Sequence, residues 1–251
     1  MFAGSQGFLP IDQVQHSDTL HIASANWLAS AQLAAKHWQH GLFVDIGSTT
    51  TDILLLEKFT VQARGQTDFQ RLVSGELVYT GIVRTSIMAV AQQAEFMGQT
   101  MGLMAEHFAS MADVYRLTGD LQPAHDQSET ADGAEKTPQA SARRLSRMTG
   151  YEFSEQDWPI WLSFAREIKR LQKQRVLNAC LQQLNRRSHT SQLGLIGAGV
   201  GRFLAQEIAQ ELGLAYHDFN DLFPQATAAG DIDAADCAPA VAVAYLAAGF
   251  G

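Results

Sequence analysis

The sequence predicts an α/β fold with a mixed sheet and flanking helices. The prediction rests on the order of three features: a strand–turn–strand segment, a mainly helical block at about residues 86–190, and a strand–glycine turn–helix unit after it. The chain has 251 residues, and 46% of them are hydrophobic, which is enough apolar material for one large domain or two small ones. We treat residues 1–251 as a single region of this fold.

The first elements are read from hydrophobic spacing. Apolar residues recur at helical spacing in residues 23–38, which predicts a helix packed on a sheet. Short apolar runs at 42–44 and 53–56 flank a polar turn and predict a β-hairpin. Glycines punctuate residues 61–85, which is typical of turns or bulges.

The middle of the chain is predicted to be helical. Residues 87–121 carry methionines among alanines, and further helices are predicted at 141–148 and from 155 to roughly 185. The polar residues 123–138 between them predict an ordered functional loop or a flexible lid.

The last part of the chain returns to alternating elements. A strand is predicted at 193–196 and, after a glycine turn, a helix at 202–212. Residues 219–223 are predicted to close a short strand region, and a terminal helix is predicted to begin near residue 234.

Composition excludes several classes of partner. Lys and Arg number 18 against 26 Asp and Glu, and the net charge of −8 gives no general attraction to nucleic acid or to an anionic membrane. A phosphate-bearing ligand therefore needs a local site or a divalent cation. The two cysteines, Cys180 and Cys237, lack the spacing of a zinc site or redox pair. We expect a cytoplasmic protein without membrane partners.

The segment Asp45–Asp52, with the sequence Asp-Ile-Gly-Ser-Thr-Thr-Thr-Asp, is the strongest chemical signal. Its glycine allows a close backbone approach, and its hydroxyls and N–H groups can surround phosphate oxygens. The residues predicted to bind phosphate here are Gly47, Ser48, Thr49, Thr50 and Thr51. Asp45 and Asp52 are predicted to hold Mg²⁺, which prefers carboxylates and water. The alternative is an ordinary threonine-rich turn with two solvated acids.

Two further features are candidates for phosphate binding. Gly197 and Gly199 form a glycine turn between a strand and a helix, where a backbone can approach a nucleotide or phosphate, although such glycines also serve close packing. Arg202 interrupts a dinucleotide fingerprint, which excludes Rossmann-type binding. Arg64 and Arg84 belong to a cluster of arginine, glycine and threonine that can clamp phosphates or simply form surface salt bridges.

The same residues carry a resemblance to a known family. Asp45–Asp52 and the motifs after it resemble the hydantoinase A/oxoprolinase-related family, closest to its tetrahydromethanopterin-linked one-carbon-transfer branch. Archaeal members of that branch are furan-methanamine synthases of methanofuran biosynthesis. The motifs are Gly65-Gln66-Thr67-Asp68, Arg71-Leu72, Gly75 to Gly81, Arg84-Thr85, Ser24 to Ala29, Met111 to Gly119, Thr130 to Gly133 and Gly197-Ala198-Gly199.

The resemblance implies an actin-like ATPase superfold built from ribonuclease H-like halves. It also implies a transferase that condenses an aminomethylfuran-methyl diphosphate with the phenol oxygen of γ-glutamyltyramine and releases diphosphate. Mg²⁺ on Asp45 and Asp52 would neutralise the leaving group. Asp68, Glu76 or Asp113 would accept the phenol proton.

Two other hypotheses follow from the same resemblance. One is an ATP-dependent hydrolase of the hydantoinase and oxoprolinase type, with ATP phosphates on the same hairpin. The other is a non-catalytic, truncated subunit, because a first phosphate loop of the form Asp-x-Gly-Gly is expected before the hairpin and the residues before Asp45 do not contain it. We therefore expect the first phosphate-loop strands to be missing. A homo-oligomer is the only macromolecular partner expected.

Overall fold

The computed structural model describes residues 1–4, 7–19, 22, 25–187, 193–224 and 231–249. The chain forms two compact units. Unit 1 comprises Met1–Ile46, Thr51–Val78 and Asn178–Gly251, and unit 2 comprises Gly47–Thr50 and Tyr79–Leu177.

The regular elements alternate along the chain. The strands are β1 (His40–Ile46), β2 (Thr51–Glu57), β3 (Thr60–Val61), β4 (Leu77–Val78), β5 (Gln93–Phe96), β6 (Gln99–Gly102), β7 (Gly194–Ala198) and β8 (Ala215–Asp218). The helices are α1 (Asn26–His37), α2 (Asp68–Ser74), α3 (Ile87–Val90), α4 (Met111–Thr118), α5 (Pro138–Thr149), α6 (Trp158–Leu184), α7 (Arg202–Leu212) and α8 (Ala238–Ala247).

Unit 1 contains a mixed sheet, as the sequence predicts. Its strand order is β3-β2-β1-β7-β8, and β4 pairs with β2. The hairpin strands β1 and β2 are antiparallel, whereas β7 is parallel to both β1 and β8. The apolar runs at 42–44 and 53–56 are the buried centres of β1 and β2. At the end of β7, Ala198 pairs with Asp45 of β1.

The core of unit 1 lies where α1 and α8 pack against the sheet. α1 presents Trp27 and Leu33 to Phe43 and Leu54 of the hairpin. The predicted helix at 23–38 is observed from Asn26, and residues 23 and 24 lie outside the described part of the chain. The predicted helix at 202–212 agrees with α7, which ends at Gly213 in a left-handed conformation with φ 66°.

Two predicted elements near the end of the chain differ from the structure. The strand expected at 219–223 is a 3₁₀ turn, Phe219–Leu222, which follows the actual strand β8. The terminal helix begins at Ala238 rather than near residue 234. Before it, Asp233 and Asp236 each accept the other's backbone N–H and pair with Arg202, which holds this segment outside the helix.

Helix α2 lies in the glycine-punctuated segment 61–85, where the sequence predicted only turns or bulges. Thr67 and Gln70 cap its first turn reciprocally, and Gly75 closes it at φ 73°. Seven residues are too few for a hydrophobic period to show, so the capping residues were its only sequence signal.

In unit 2 the continuous helix predicted at 87–121 is wrong. A hairpin of β5 and β6 interrupts it, with a turn at Met97 and Gly98, both at positive φ. The burial of β5 alternates between exposed and buried residues, a period of two that excludes a helix. The helices α4, α5 and α6 still make this block mainly helical. Of the helices in the described residues, none is both long and apolar enough to cross a membrane.

Candidate functional site

Asp45 and Asp52 are direct cross-strand partners in the ladder of β1 and β2. Directly opposed residues project from the same face of a sheet, with Cβ atoms roughly 5 Å apart. The hairpin therefore brings both predicted metal ligands together in unit 1. Two opposed acids destabilise a sheet unless a cation or a proton lies between them.

Asp45 is the electrostatic centre of this pair. It is 6% exposed, and no described residue donates a hydrogen bond to its carboxylate. Burial, and to a smaller extent the negative charge of Asp52, raise the pKa of Asp45 to about 8. A carboxyl group with a pKa raised in this way keeps its proton near physiological pH, and a bound cation would replace that proton.

Asp52 differs because it has a cation partner. The guanidinium of Arg71 in α2 donates a hydrogen bond from Nη2 to Asp52 Oδ1. The same guanidinium lies over the ring of Trp27, 3.9 Å from its centroid. Burial raises the pKa of Asp52, while Arg71 acts against that shift. Arg71 stood in the arginine cluster of the sequence without an assigned role, since its partner is set by tertiary structure.

The glycine turn after β7 separates into two roles. Gly199 lies against the acid pair: a Cβ added to it would lie 2.4 Å from Asp45 Oδ1, and its φ of 80° suits glycine. Gly197 instead lies inside β7, opposite Val44, and a Cβ there would collide with the ring of Tyr216 at 2.6 Å. Only Gly199 is therefore placed beside a predicted site residue, and the position of Gly197 matches the close-packing alternative.

The turn Gly47–Thr50 belongs to unit 2, where it is held by residues 81–84. Ser48 accepts hydrogen bonds from the backbone N–H groups of Val83 and Arg84, at 3.1 and 2.8 Å. A Cβ on Gly81 would lie 2.4 Å from the nitrogen of Thr49. The backbone N–H groups of Ser48, Thr49 and Thr50 have no acceptor among the described residues. Consecutive free N–H groups in a turn can bind an anion.

Two residues that sequence reasoning missed support this turn. Gln172 in α6 is 1% exposed and donates to the Thr80 hydroxyl at 2.7 Å and to the Gly81 carbonyl at 2.9 Å. Tyr115 in α4 donates to the side-chain oxygen of Gln172. A polar residue on the inward face of a long helix was the signal that could have found Gln172. Thr51, unlike the turn residues, is fully buried in β2 of unit 1.

Glu76 is fully buried, and its carboxylate is occupied by donors. It accepts from the backbone N–H of Arg64 at 2.7 Å and of Gly65 at 2.9 Å, and from the Ser74 hydroxyl and Arg186 Nη1. These contacts hold the loop before α2 to β4. They are the contacts of a structural acid, so its role as a base stays a prediction with no geometric support.

Asp113 lies in an ion-pair network of unit 2. Its Oδ1 accepts from Arg144 Nε at 2.8 Å, Arg116 Nη1 at 3.1 Å and the Ser141 hydroxyl at 2.8 Å. Its Oδ2 caps the start of α4 through the N–H of Ser110. Arg116 also binds Asp126, and Arg144 binds Asp132. The polar segment 123–138 is therefore anchored through its acids, which favours the ordered loop of the two alternatives.

The remaining predicted residues lie at the surface. Asp68, at the first position of α2, is 68% exposed, and its Oδ1 lies 3.9 Å from Arg71 Nη1. The side chains of Arg64 and Arg84 are exposed. Arg84 lines a polar cavity of about 160 Å³ in unit 2 together with Asp113, Arg116 and Asp126. Asp68 is the only one of the three predicted bases with open access to solvent.

The acid pair fits Mg²⁺ by the chemistry of its donors. Within the described residues, no group of three or more His, Cys, Asp or Glu side chains could hold a metal ion. Mg²⁺ does not require such a cage, because it is usually bound by one or two carboxylates together with waters and phosphate oxygens. Asp45, buried and without a donor, is the group such a cation would stabilise most.

A mixed α/β sheet with a glycine turn against a buried acid pair defines the class of protein: an α/β protein with an acidic site at its hairpin. The model of the hydantoinase/oxoprolinase family matches residues 1–236, and the chain belongs to that family. This family has the actin-like ATPase fold.

Two curated relatives share part of the sequence. The (4-{4-[2-(γ-L-glutamylamino)ethyl]phenoxymethyl}furan-2-yl)methanamine synthase of Methanocaldococcus jannaschii is 35% identical over 130 residues, which are 51% of this chain and 39% of that protein. The protein of the same name from Methanococcus vannielii is 29% identical over 107 residues, 43% of this chain and 48% of its own. The matches thus span less than half of either relative.

Proposed function

We propose that this chain takes part in cofactor biosynthesis as a furan-methanamine synthase, the activity for which its two relatives are named. One observation supports the assignment of this activity to the hairpin. The hairpin pairs Asp45 with Asp52, and the buried Asp45 has no donor from any described residue, so a metal–diphosphate ligand would complete the site.

The proposed reaction forms the aryl ether in the product name of the relatives. The phenol oxygen of γ-glutamyltyramine attacks the methylene carbon of an aminomethylfuran-methyl diphosphate. The new carbon–oxygen bond forms as the bond from that carbon to the diphosphate oxygen breaks, and diphosphate leaves with the electron pair. The phenol proton passes to a base. Atoms and electrons balance without a redox partner.

Each part of the hairpin has a proposed role. Asp45 and Asp52 hold Mg²⁺, and when bound there the ion supplies positive charge for the departing diphosphate. The free N–H groups of Ser48, Thr49 and Thr50 bind phosphate oxygens. Gly199 leaves room beside Asp45, because any side chain at this position would overlap the carboxylate.

Asp68 is the proposed proton acceptor. Of the three acids predicted for this role, Glu76 and Asp113 have their oxygens occupied by structural donors, whereas Asp68 is open to solvent. An accessible carboxylate can both receive the proton and release it to water.

The direct test is product formation by the purified chain. With Mg²⁺ and both substrates, we expect the ether product by mass spectrometry and an equal amount of diphosphate. Asp45→Asn should reduce turnover by at least about a hundredfold, because it removes a metal ligand. Asp12→Asn, a change of the same kind in the 3₁₀ turn Ile11–Gln13, is the matched control and should keep full activity. Diphosphate release without ether, or full activity of Asp45→Asn, would refute the assignment.

A second candidate function comes from the family name. The family model covers residues 1–236, more of the chain than either synthase alignment, and its hydantoinase and oxoprolinase members suggest an ATP-dependent hydrolase. ATP would then occupy the hairpin with its phosphates. Thermal unfolding with Mg²⁺ and either ATP or the furan diphosphate separates the two, since the ligand that binds the folded chain raises its midpoint. Protection by neither ligand would favour the third hypothesis, a non-catalytic subunit.

A further inference from the structure

Unit 1 contains a second cavity, of about 420 Å³, to which neither the hairpin nor the proposed reaction assigns a role. It lies between α1 and the turn that joins β2 to β3. Its apolar lining includes Trp27, Leu28, Phe59 and Val61. This volume is in the range of small-molecule sites and would hold a ligand of one or two aromatic rings.

The polar groups of the cavity have one sign of charge. Gln32, Lys36 and Gln66 line it, and none of its described lining residues is Asp or Glu. The ammonium group of Lys36 has no acid partner among the described residues. An anionic group would be attracted to this cavity, and an amine would be repelled from it.

Trp27 adds an unsatisfied donor. It is 5% exposed, and its indole N–H is buried with no acceptor among the described residues. A buried donor without a partner destabilises the fold, so such groups are uncommon unless a ligand or water supplies the acceptor. This unsatisfied N–H belongs to a residue of the cavity wall.

Phe59 gives an independent indication. Lys58 and Phe59 form the two-residue turn between β2 and β3, and both have positive φ, 54° and 61°. Such turns favour Asn-Gly, and a phenylalanine at positive φ is strained. The Phe59 side chain lines the cavity and is 52% exposed, so burial in the core does not compensate for this strain. Strained residues of this kind cluster at ligand-binding sites.

We propose that this cavity is a binding site for an aromatic anion, a ring system packed on Trp27, Leu28 and Phe59 with a carboxylate or phosphate near Lys36. The ring provides the apolar contact, and an oxygen of the anionic group accepts the indole N–H of Trp27. This site is separate from the proposed catalytic residues, and the proposal does not depend on the proposed function.

Calorimetric titration of the whole chain with matched naphthalene probes tests the proposal. 2-Naphthoate and 2-naphthyl phosphate carry the anion, and 2-naphthylmethylamine carries a cation on the same rings. We expect one equivalent of at least one anionic probe to bind with a Kd at or below about 1 mM, and the amine to bind at least tenfold more weakly. The stronger of the two anions identifies the chemical source.

Side-chain variants test which residues of the cavity contact the bound probe. Lys36→Met keeps the aliphatic stem and should weaken binding about tenfold, whereas Lys58→Met, which alters an exposed lysine outside the cavity lining, should not. Phe59→Ala at an exposed position should weaken binding about tenfold without unfolding the chain. Trp27→Phe, which keeps a ring but removes the N–H, should do the same if circular dichroism shows a native fold.

Three results would overturn the proposal. These are no binding of any probe to the folded chain at about ten times the expected Kd, equal binding of the anions and the amine, and unchanged affinity in both Lys36→Met and Phe59→Ala. None of these results affects the synthase proposal, which is judged by ether formation at the hairpin.

Discussion

The aspartates of the two units differ in whether cationic side chains compensate their negative charge. In unit 2, Asp113, Asp126 and Asp132 are matched by Arg116, Lys136, Arg144 and Arg147. In unit 1, Asp45 and Asp52 face each other across a ladder, and of the two only Asp52 has a cation partner among the described residues. Asp45 of unit 1 and Asp113 and Asp126 of unit 2 are all buried, so burial alone does not distinguish the two groups.

The difference teaches which acids are available for chemistry. A buried carboxylate with a full set of donors stabilises the fold and has no capacity left for a ligand. Asp45 lacks donors, and its pKa rises because the fold does not compensate its charge. Acid pairs with missing donors, rather than acids in general, are therefore the residues to test for function.

Breaking the matched network should have the largest effect. Arg144 is fully buried and binds both Asp113 and Asp132. Arg144→Met should lower the free energy of unfolding by about 3–5 kcal/mol, because it leaves a buried carboxylate without its partner. Urea unfolding followed by circular dichroism measures this. A loss below about 1 kcal/mol would mean that unit 2 is no better compensated than unit 1.

Removing the charge of Asp45 should have an effect of comparable size and opposite sign. The pKa of Asp45 is raised from 3.8 to about 8 in the folded state, so the unfolded chain releases this proton first as the pH rises. Asp45 therefore costs stability progressively through that window, and the cost is complete above about pH 8.

We expect the stability of Asp45→Asn relative to the parent chain to increase by about 1.4 kcal/mol for each pH unit between about pH 5 and pH 8. Urea unfolding of both chains at several pH values gives the difference. A difference that does not change with pH would show that the Asp45 carboxyl group titrates alike in the folded and unfolded chains.

Adding Mg²⁺ should compensate the acid pair in place of the missing donors. At ten times its Kd, Mg²⁺ should stabilise the chain by about 1.4 kcal/mol, measured as a rise in the unfolding midpoint. The rise should grow between about pH 6 and pH 8, because binding requires Asp45 to lose its proton. Asp45→Asn should lose most of the rise; an equal rise in both chains would place the ion elsewhere.

The smallest effect is expected at the exposed edge of the network. Arg147 also binds Asp132, but its side chain is 47% exposed. Arg147→Met should change the free energy of unfolding by less than about 1 kcal/mol, since an exposed ion pair is screened by water. This is the matched control for Arg144→Met, and equal losses in the two variants would show that burial does not set the strength of these pairs.

The sequence predicted the elements whose bounds are set by residues within or next to the element itself. Helix α7 was predicted with its observed bounds because glycines stand on both sides of an amphipathic segment. The hairpin at 93–102 was missed because the methionines suggested a helix, although Gln93 to Phe96 alternate polar and apolar residues.

The site residues also fall into those whose neighbours the sequence could predict and those whose partners it could not. The sequence placed Asp45 and Asp52 on a hairpin, and a hairpin alone makes them neighbours. It could not assign Arg71 to Asp52 or Arg144 to Asp113, which are separated by 19 and 31 residues. Such partners depend on how helices pack, and no local spacing encodes that. The predicted roles of the turn hydroxyls, Arg64 and Arg84 stay predictions.

Arg71 contacts two residues, Trp27 and Asp52, that belong to different proposed sites. One side of its guanidinium stacks on Trp27 in the wall of the aromatic cavity, while Nη2 binds Asp52 of the acid pair. A ligand that displaced Trp27 would also displace the guanidinium from Asp52, and any resulting change of affinity at one site would be matched by the same factor at the other. Arg71 therefore contacts one residue of each proposed site, Trp27 and Asp52.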